Sequence, residues 1–291
     1  MGWLGFALIS CVMTCAAIEY TRRLRFDGFE VTLYRCMISG FMLLPFFSYM
    51  TFPHDLKFYL MIGLSSLIYA YGNIVLSNLA MRKNGRVAMM FQPVAIFVTF
   101  GVWLLFNPAQ VAELQSAPQH LGLTGLCFVG LLLSLHFMRR NDYAWSGLIA
   151  VVPVALGFAC LNVAQKWFLS SPDGGIGMIL AIIMMGNFGM VIALPLLSRF
   201  RVKSSELKIT HMPVFPLLPL VIIAVLHVGG WGTLMYAMQI SINPAYPVAI
   251  MALSPVVFQL YYWVRGWRDN ASPLAGAAMT LSAFALGLIN T

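Results

Sequence analysis

Charge is what this chain has least of. Only 9% of its 291 residues are charged, against roughly a quarter in an ordinary soluble domain. So few charges cannot cover the one or two soluble domains that such a length would build. With 60% hydrophobic residues, a soluble globular protein and a disordered chain are both excluded. Cysteine is also scarce. Cys11, Cys15, Cys36, Cys127 and Cys160 all fall inside apolar stretches, where a thiol acts as a small hydrophobe, so no disulfide scaffold is expected. Catalytic signatures are missing as well: no HExxH, GxSxG, P-loop, GxGxxG or CxxC occurs. Glu19 is the sole acidic residue within an apolar stretch, and the histidines are scattered at 54, 120, 136, 211 and 227. A metal-assisted hydrolase needs several convergent ligands, so the expectation is no enzyme, no metal and no cofactor. The missing P-loop argues against an ATP-driven pump acting alone.

What is present is a series of long apolar runs. A bilayer core of about 30 Å needs roughly 20 helical residues. Ten runs qualify: 2–20, 31–51, 58–80, 87–106, 119–138, 146–168, 176–198, 214–240, 246–264 and 273–290. They are apolar on all faces, unlike the alternating ten-residue segments of a β-barrel. Run 2–20 lacks the basic flank and the cleavage site of a signal peptide, so it reads as a span. The expected fold is all-α and integral to the membrane, with ten transmembrane helices.

The basic residues sit between the runs. Numbered from the first loop, the odd loops hold Arg22, Arg23 and Arg25; Arg82, Lys83 and Arg86; Arg139 and Arg140; Arg199, Arg201, Lys203 and Lys208; and Arg265 and Arg268. The even loops offer Lys57 alone. The net charge of +8 is therefore a loop-charge asymmetry and not a nucleic-acid footprint. It places the odd loops in the cytoplasm of a cell (inner) membrane, and both termini on the non-cytoplasmic side.

Ten spans divide into two halves of five, 1–143 and 144–291, which an odd count would invert in the membrane. Each half opens with Trp-x-Gly, at Trp3 and Trp145. Ala16-x-x-Glu19-x-x-Arg22-Arg23 aligns with Ala159-x-x-Asn162-x-x-Gln165-Lys166. Met89-x3-Pro93-Val94 aligns with Met251-x3-Pro255-Val256. At this point the chain resembles the ten-helix drug/metabolite transporter superfamily of the EamA-like type. The residues carrying the resemblance are Val31-Thr-Leu-Tyr-Arg35 with Leu43-Leu44-Pro45, the passage Ala237 to Pro255, and Gly266-Trp-Arg-Asp-Asn-Ala-Ser-Pro-Leu-Ala-Gly276. Trp267 departs from the Glu common in that family, and the passage between runs 3 and 4 is shorter. The orientation read from the loops reverses the family's usual one. The resemblance implies two inverted EamA-like repeats around a cavity lined by spans 1–4 and 6–9, with spans 5 and 10 as supports.

Polar groups in hydrocarbon are costly, so they normally face protein or water. Glu19 and Arg35 lie near the same membrane side and could pair as a gate or a solute site; a static pair or a snorkelling arginine is the plainer alternative. Tyr69 and Asn73 share a helical face. Gln92 precedes Pro93, which frees a backbone carbonyl. Asn162 and Lys166 share a face in run 6, with snorkelling as the ordinary role of the lysine. His227 and Trp231 share a face in run 8, beside Gly229-Gly230, and Tyr236 follows. Run 9 holds Pro247, Ser254, Pro255 and Gln259; Pro93, Pro247 and Pro255 are the expected kinks. For each of these, interhelical packing, worth about 1 kcal/mol or less per hydrogen bond, is the structural alternative.

The functional expectation is a secondary transporter working by alternating access. Its solute would be a small neutral, zwitterionic or weakly charged organic metabolite, amino-acid-like at best guess. The expected partners are that solute, a coupling proton or ion, and the lipid bilayer, with no nucleic acid. A flippase of lipids or lipid-linked substrates is the alternative, and a membrane-embedded enzyme comes third.

Overall fold

A computed structural model describes residues 2–24, 26–139, 145–200, 216–267 and 272–289. Among the described residues there is no strand. The helices are α1 (Gly2–Leu24), α2 (Gly28–Leu43), α3 (Leu56–Arg82), α4 (Gly85–Ala88), α5 (Gln92–Phe106), α6 (Pro108–Ser116), α7 (Pro118–Arg139), α8 (Trp145–Leu169), α9 (Ile176–Ala193), α10 (Leu217–Ile240), α11 (Ala245–Met251), α12 (Ser254–Val264) and α13 (Pro273–Ile289). Tight 3-10 turns extend α2 over Leu44–Tyr49 and α9 over Leu194–Phe200, each opening with Leu-Pro. A third, Met89–Phe91, joins α4 to α5.

The few polar loop residues end the helices. The Asp27 carboxylate accepts from Phe29 N at 3.0 Å, Asp55 from Lys57 N at 2.9 Å, and the Asn84 side chain from Val87 N at 2.8 Å. Each satisfies a backbone donor that the first helical turn leaves unpaired.

Eight helices are long and apolar enough to cross a bilayer: Gly2–Leu24, Gly28–Tyr49, Leu56–Arg82, Gly85–Phe106, Val151–Leu169, Ile176–Leu197, Leu217–Ile240 and Ala245–Val264. Two expected runs differ. The helix over 119–138 meets α6 at a 106° bend, and the last apolar helix, α13, has 17 residues. Helix α6 stands where only a loop was expected. Two further expectations shift at the boundaries, because Arg22, Arg23 and Arg82 belong to the last turns of α1 and α3 and not to loops. Arg25, Arg140, Arg201, Lys203, Lys208 and Arg268 lie outside the described residues.

Helix α1 runs along α10, and α3 along α8 and α9. Close approach is built in where α1 meets α10: a methyl group added at Gly229 would overlap Met13, and the Ser10 hydroxyl donates to Gly230 O at 2.7 Å. Further pairings join α5 with α8, α1 with α11 and α12, α2 with α9 and α10, α5 with α11, and α7 with α13. The outward faces are strongly apolar, with Leu105 81%, Trp263 77% and Ile192 75% exposed. A water-soluble surface does not carry apolar cladding on this scale. The protein is an all-helical, multi-pass membrane protein.

Candidate functional site

Among the described residues, polar side chains gather around one central cavity of about 150 Å³. It lies between the α1–α10 seam and the α3–α8 seam. From α1 it receives Ser10, Thr14, Ala17 and Thr21, a small-residue stripe at helical spacing. Tyr69, Asn73 and Ser77 come from α3, Phe158 and Asn162 from α8, and His227 and Trp231 from α10. Arg35 enters from α2, and Gln92 from the start of α5.

One wall is aromatic. The Tyr69 ring lies 4.9 Å from Phe158 and 4.9 Å from Trp231, the latter edge-on at 65°. The His227 ring sits 5.6 Å from Trp231. The Gln165 amide donates to the Tyr69 hydroxyl at 3.1 Å, which fixes that ring. Polar side chains stand beside this wall, one turn along α3 and α8 and at the start of α5. Asn73 Nδ2 lies 3.6 Å from Met190 Sδ, and Gln92 and Asn162 are both buried. Arg35 is 7% exposed, its Nη2 lies 3.7 Å from Cys36 Sγ, and its Nε has no hydrogen-bond partner.

Two of the membrane-length stretches are interrupted, Gly85–Phe106 between α4 and α5 and Ala245–Val264 between α11 and α12, and both meet the cavity there. Met89, Phe91 and Gln92 line it where α4 passes into α5, and Met251 lines it just before the break at Ala252–Leu253. Pro93 and Pro255 stand in the first turn after each break. Pro247 does not mark a break. It sits in the first turn of α11, where its missing N–H removes no helical bond.

Five expected residues lie away from the cavity lining. Glu19 does not pair with Arg35. Its carboxylate accepts from Arg22 Nε and Nη2, both at 2.8 Å, and from Arg23 Nε at 3.0 Å, because those arginines follow it by one helical turn. Lys166 does not snorkel and lies outside the cavity lining. It is buried, and its Nζ donates to Gln239 O at 3.0 Å and Ser241 O at 2.7 Å, capping the C-terminus of α10. Tyr236 packs edge-on against Phe6 at 4.7 Å. The Ser254 hydroxyl donates to Met251 O at 2.6 Å, and Gln259 packs beside Gly276 of α13.

Sequence reasoning missed the α1 stripe and Phe158. The stripe was visible as Ser10-x3-Thr14-x2-Ala17-x3-Thr21, a small-residue face on a span otherwise read for its charges. Phe158 had no such signal, since an aromatic residue within an apolar span reads equally as packing.

The two ends of the cavity differ. Its lining runs toward Thr21 on α1 and Ala80 on α3, the ends that lead into the odd loops. There Arg22 sits 5.1 Å over the Trp267 ring, and Arg23 donates to the Tyr261 hydroxyl. Toward the even loops the contacts are between buried groups. Besides the Lys166 cap, Gln110 Oε1 accepts from Trp103 Nε1 at 2.6 Å and from Asn243 Nδ2 at 3.3 Å, and Trp3 packs on Tyr246 at 6.5 Å.

No protein-family model matches this sequence, and no curated protein matches it. Among solved structures, one described only as the crystal structure of a protein is similar at a TM-score of 0.62 and 14% identity, over 99% of this chain and 95% of that one. The likeness is one of fold: this chain adopts an architecture that a far-diverged sequence also adopts.

Proposed function

We propose that this protein is a secondary transporter of a small organic solute, working by alternating access in a cell membrane. The observation that carries the reading is a polar-lined cavity within an otherwise apolar bundle, its lining extending toward the odd-loop ends of α1 and α3. A packed structural core has no use for so many desolvated polar groups.

The pairing pattern supports ten spans in two inverted halves of the EamA-like type. Take α4 and α5 as one span, α11 and α12 as another, and α7 and α13 as the fifth and tenth. Exchanging the first five spans for the last five then turns α1–α10 into α3–α8, α2–α10 into α3–α9, and α5–α8 into the pairing of α1 with α11 and α12. The pairings α2–α9, α5–α11 and α7–α13 map onto themselves. A twofold axis in the membrane plane has this property, and rocking about it exchanges the open and closed ends. The cavity lining extends toward the ends of α1 and α3 that lead into the odd loops, and we read those loops as cytoplasmic from their basic residues. Opening the other end requires Lys166 to leave the α10 carbonyls. Closing this end draws on the Glu19–Arg22–Arg23 cluster and the Tyr261 and Trp267 rings.

Reconstitution into proteoliposomes tests the reading. Small metabolites from a cell extract should enter in a protein-dependent way, while labelled lipids are not scrambled. Lipid scrambling without solute uptake would make the protein a flippase instead.

A further inference from the structure

Resting on the transporter reading, we propose that the cavity takes a small organic anion, with one carboxylate on an apolar or aromatic body, in preference to an amino acid or a neutral amide. Among the described residues lining the cavity, Arg35 is the only charged one. It is 7% exposed, its Nε is unpartnered, and the contact of its Nη2 is a thiol, a weak acceptor. The counter-charge expected from the sequence, Glu19, is already held by Arg22 and Arg23. A guanidinium desolvated in this way lacks the two parallel acceptors that its fork matches, and a solute carboxylate supplies both.

The rest of the lining narrows the class. Among the described residues no Asp or Glu lines the cavity, so a solute ammonium would meet no opposite charge there and would share the space with Arg35. The Tyr69, Phe158 and Trp231 rings form an apolar slot beside the cation. The volume of about 150 Å³ matches that of a cavity known to hold a benzene ring. The His227 Nε2 is buried without a partner and offers a second polar contact. An aryl or short alkyl carboxylate uses each of these features, whereas an amino acid leaves its ammonium unpaired.

The full chain, purified in detergent, would be tested with a matched series: phenylpropionate, phenylpropionamide, phenylpropylamine and phenylalanine. Thermal stabilisation reads the affinity of each. Phenylpropionate should bind at least about tenfold more tightly than the amide, a difference of about 1.4 kcal/mol, and more tightly than phenylalanine or the amine. Arg35→Gln should bring acid and amide to parity while still binding the amide, and Arg35→Lys should restore part of the preference. Acid and amide binding equally, phenylalanine binding more tightly than phenylpropionate, or no stabilisation by phenylpropionate at all would overturn the proposal. The wild-type series decides this even if Arg35→Gln does not fold. Uptake of phenylalanine but not phenylpropionate would end the anion assignment and leave the transporter standing. Binding of phenylpropionate without translocation would do the reverse.

Discussion

The two ends of the cavity are built from different chemistry. Toward the even loops, a buried lysine caps the carbonyls of α10, and buried amides bond to each other and to an indole. Toward the odd loops, arginines with 25% and 44% side-chain exposure pair with Glu19 and lie against aromatic rings. Desolvated, charge-assisted bonds are strong and specific, while half-exposed ion pairs are weak and readily exchanged. The even-loop end is therefore held by directional bonds, and the odd-loop end keeps its partners loosely poised. Lys166 and Arg35 show the same contrast. Both are basic residues inside apolar runs, yet one is fully committed to backbone carbonyls and the other is left unpaired at the cavity.

The largest expected effect comes from the tight end. Lys166→Met removes two charge-assisted bonds, each worth about 1.5 kcal/mol or more. It should shift the balance toward the even-side-open state by up to about a hundredfold. Labelling of a cysteine at Ser241 by an impermeant thiol reagent, in a background free of other cysteines, reads this directly; an unchanged rate would show that the lysine holds nothing shut.

Next comes the α1–α10 seam that both ends share. Gly229→Leu should cost about 1–3 kcal/mol by overpacking against Met13. Gly101→Leu, with open space around it, should leave the melting temperature nearly unchanged. Equal losses would mean that the seam is not tighter than the outer face.

At the loose end the effect is smaller. Glu19→Gln should change stability by less than about 1 kcal/mol, as for other partly exposed ion pairs, yet speed thiol labelling at Thr21→Cys. Stability loss as large as that of Gly229→Leu would make the cluster a structural element and not a mobile rim. Smallest of all is Tyr236→Phe, which leaves the ring packed on Phe6 and should not move the apparent affinity for solute. A weakened affinity would bring Tyr236 into the site.

Some of this was readable in the residues and some was not. Spacing placed Tyr69 with Asn73 and His227 with Trp231 on common faces, and all four line the cavity. Helical periodicity is local and survives folding. Spacing failed where a residue had to choose among partners. Glu19 lies on the same membrane side as Arg35, but Arg22 and Arg23 are reached within one turn of the same helix. Lys166 had the pattern of a snorkelling side chain, and its true acceptors are carbonyls more than seventy residues along the chain.

The sequence by itself determined that this protein lives in lipid, because 9% charge against 60% hydrophobic residues leaves no other solvent. It also determined where the apolar helices run, because hydropathy and helical period act over neighbouring residues. Only the tertiary structure decided which polar groups converge on one space, which contacts close around its two ends, and that Arg35 meets no opposite charge among the described residues. Those facts depend on which helices become neighbours, and packing across the bundle settles that.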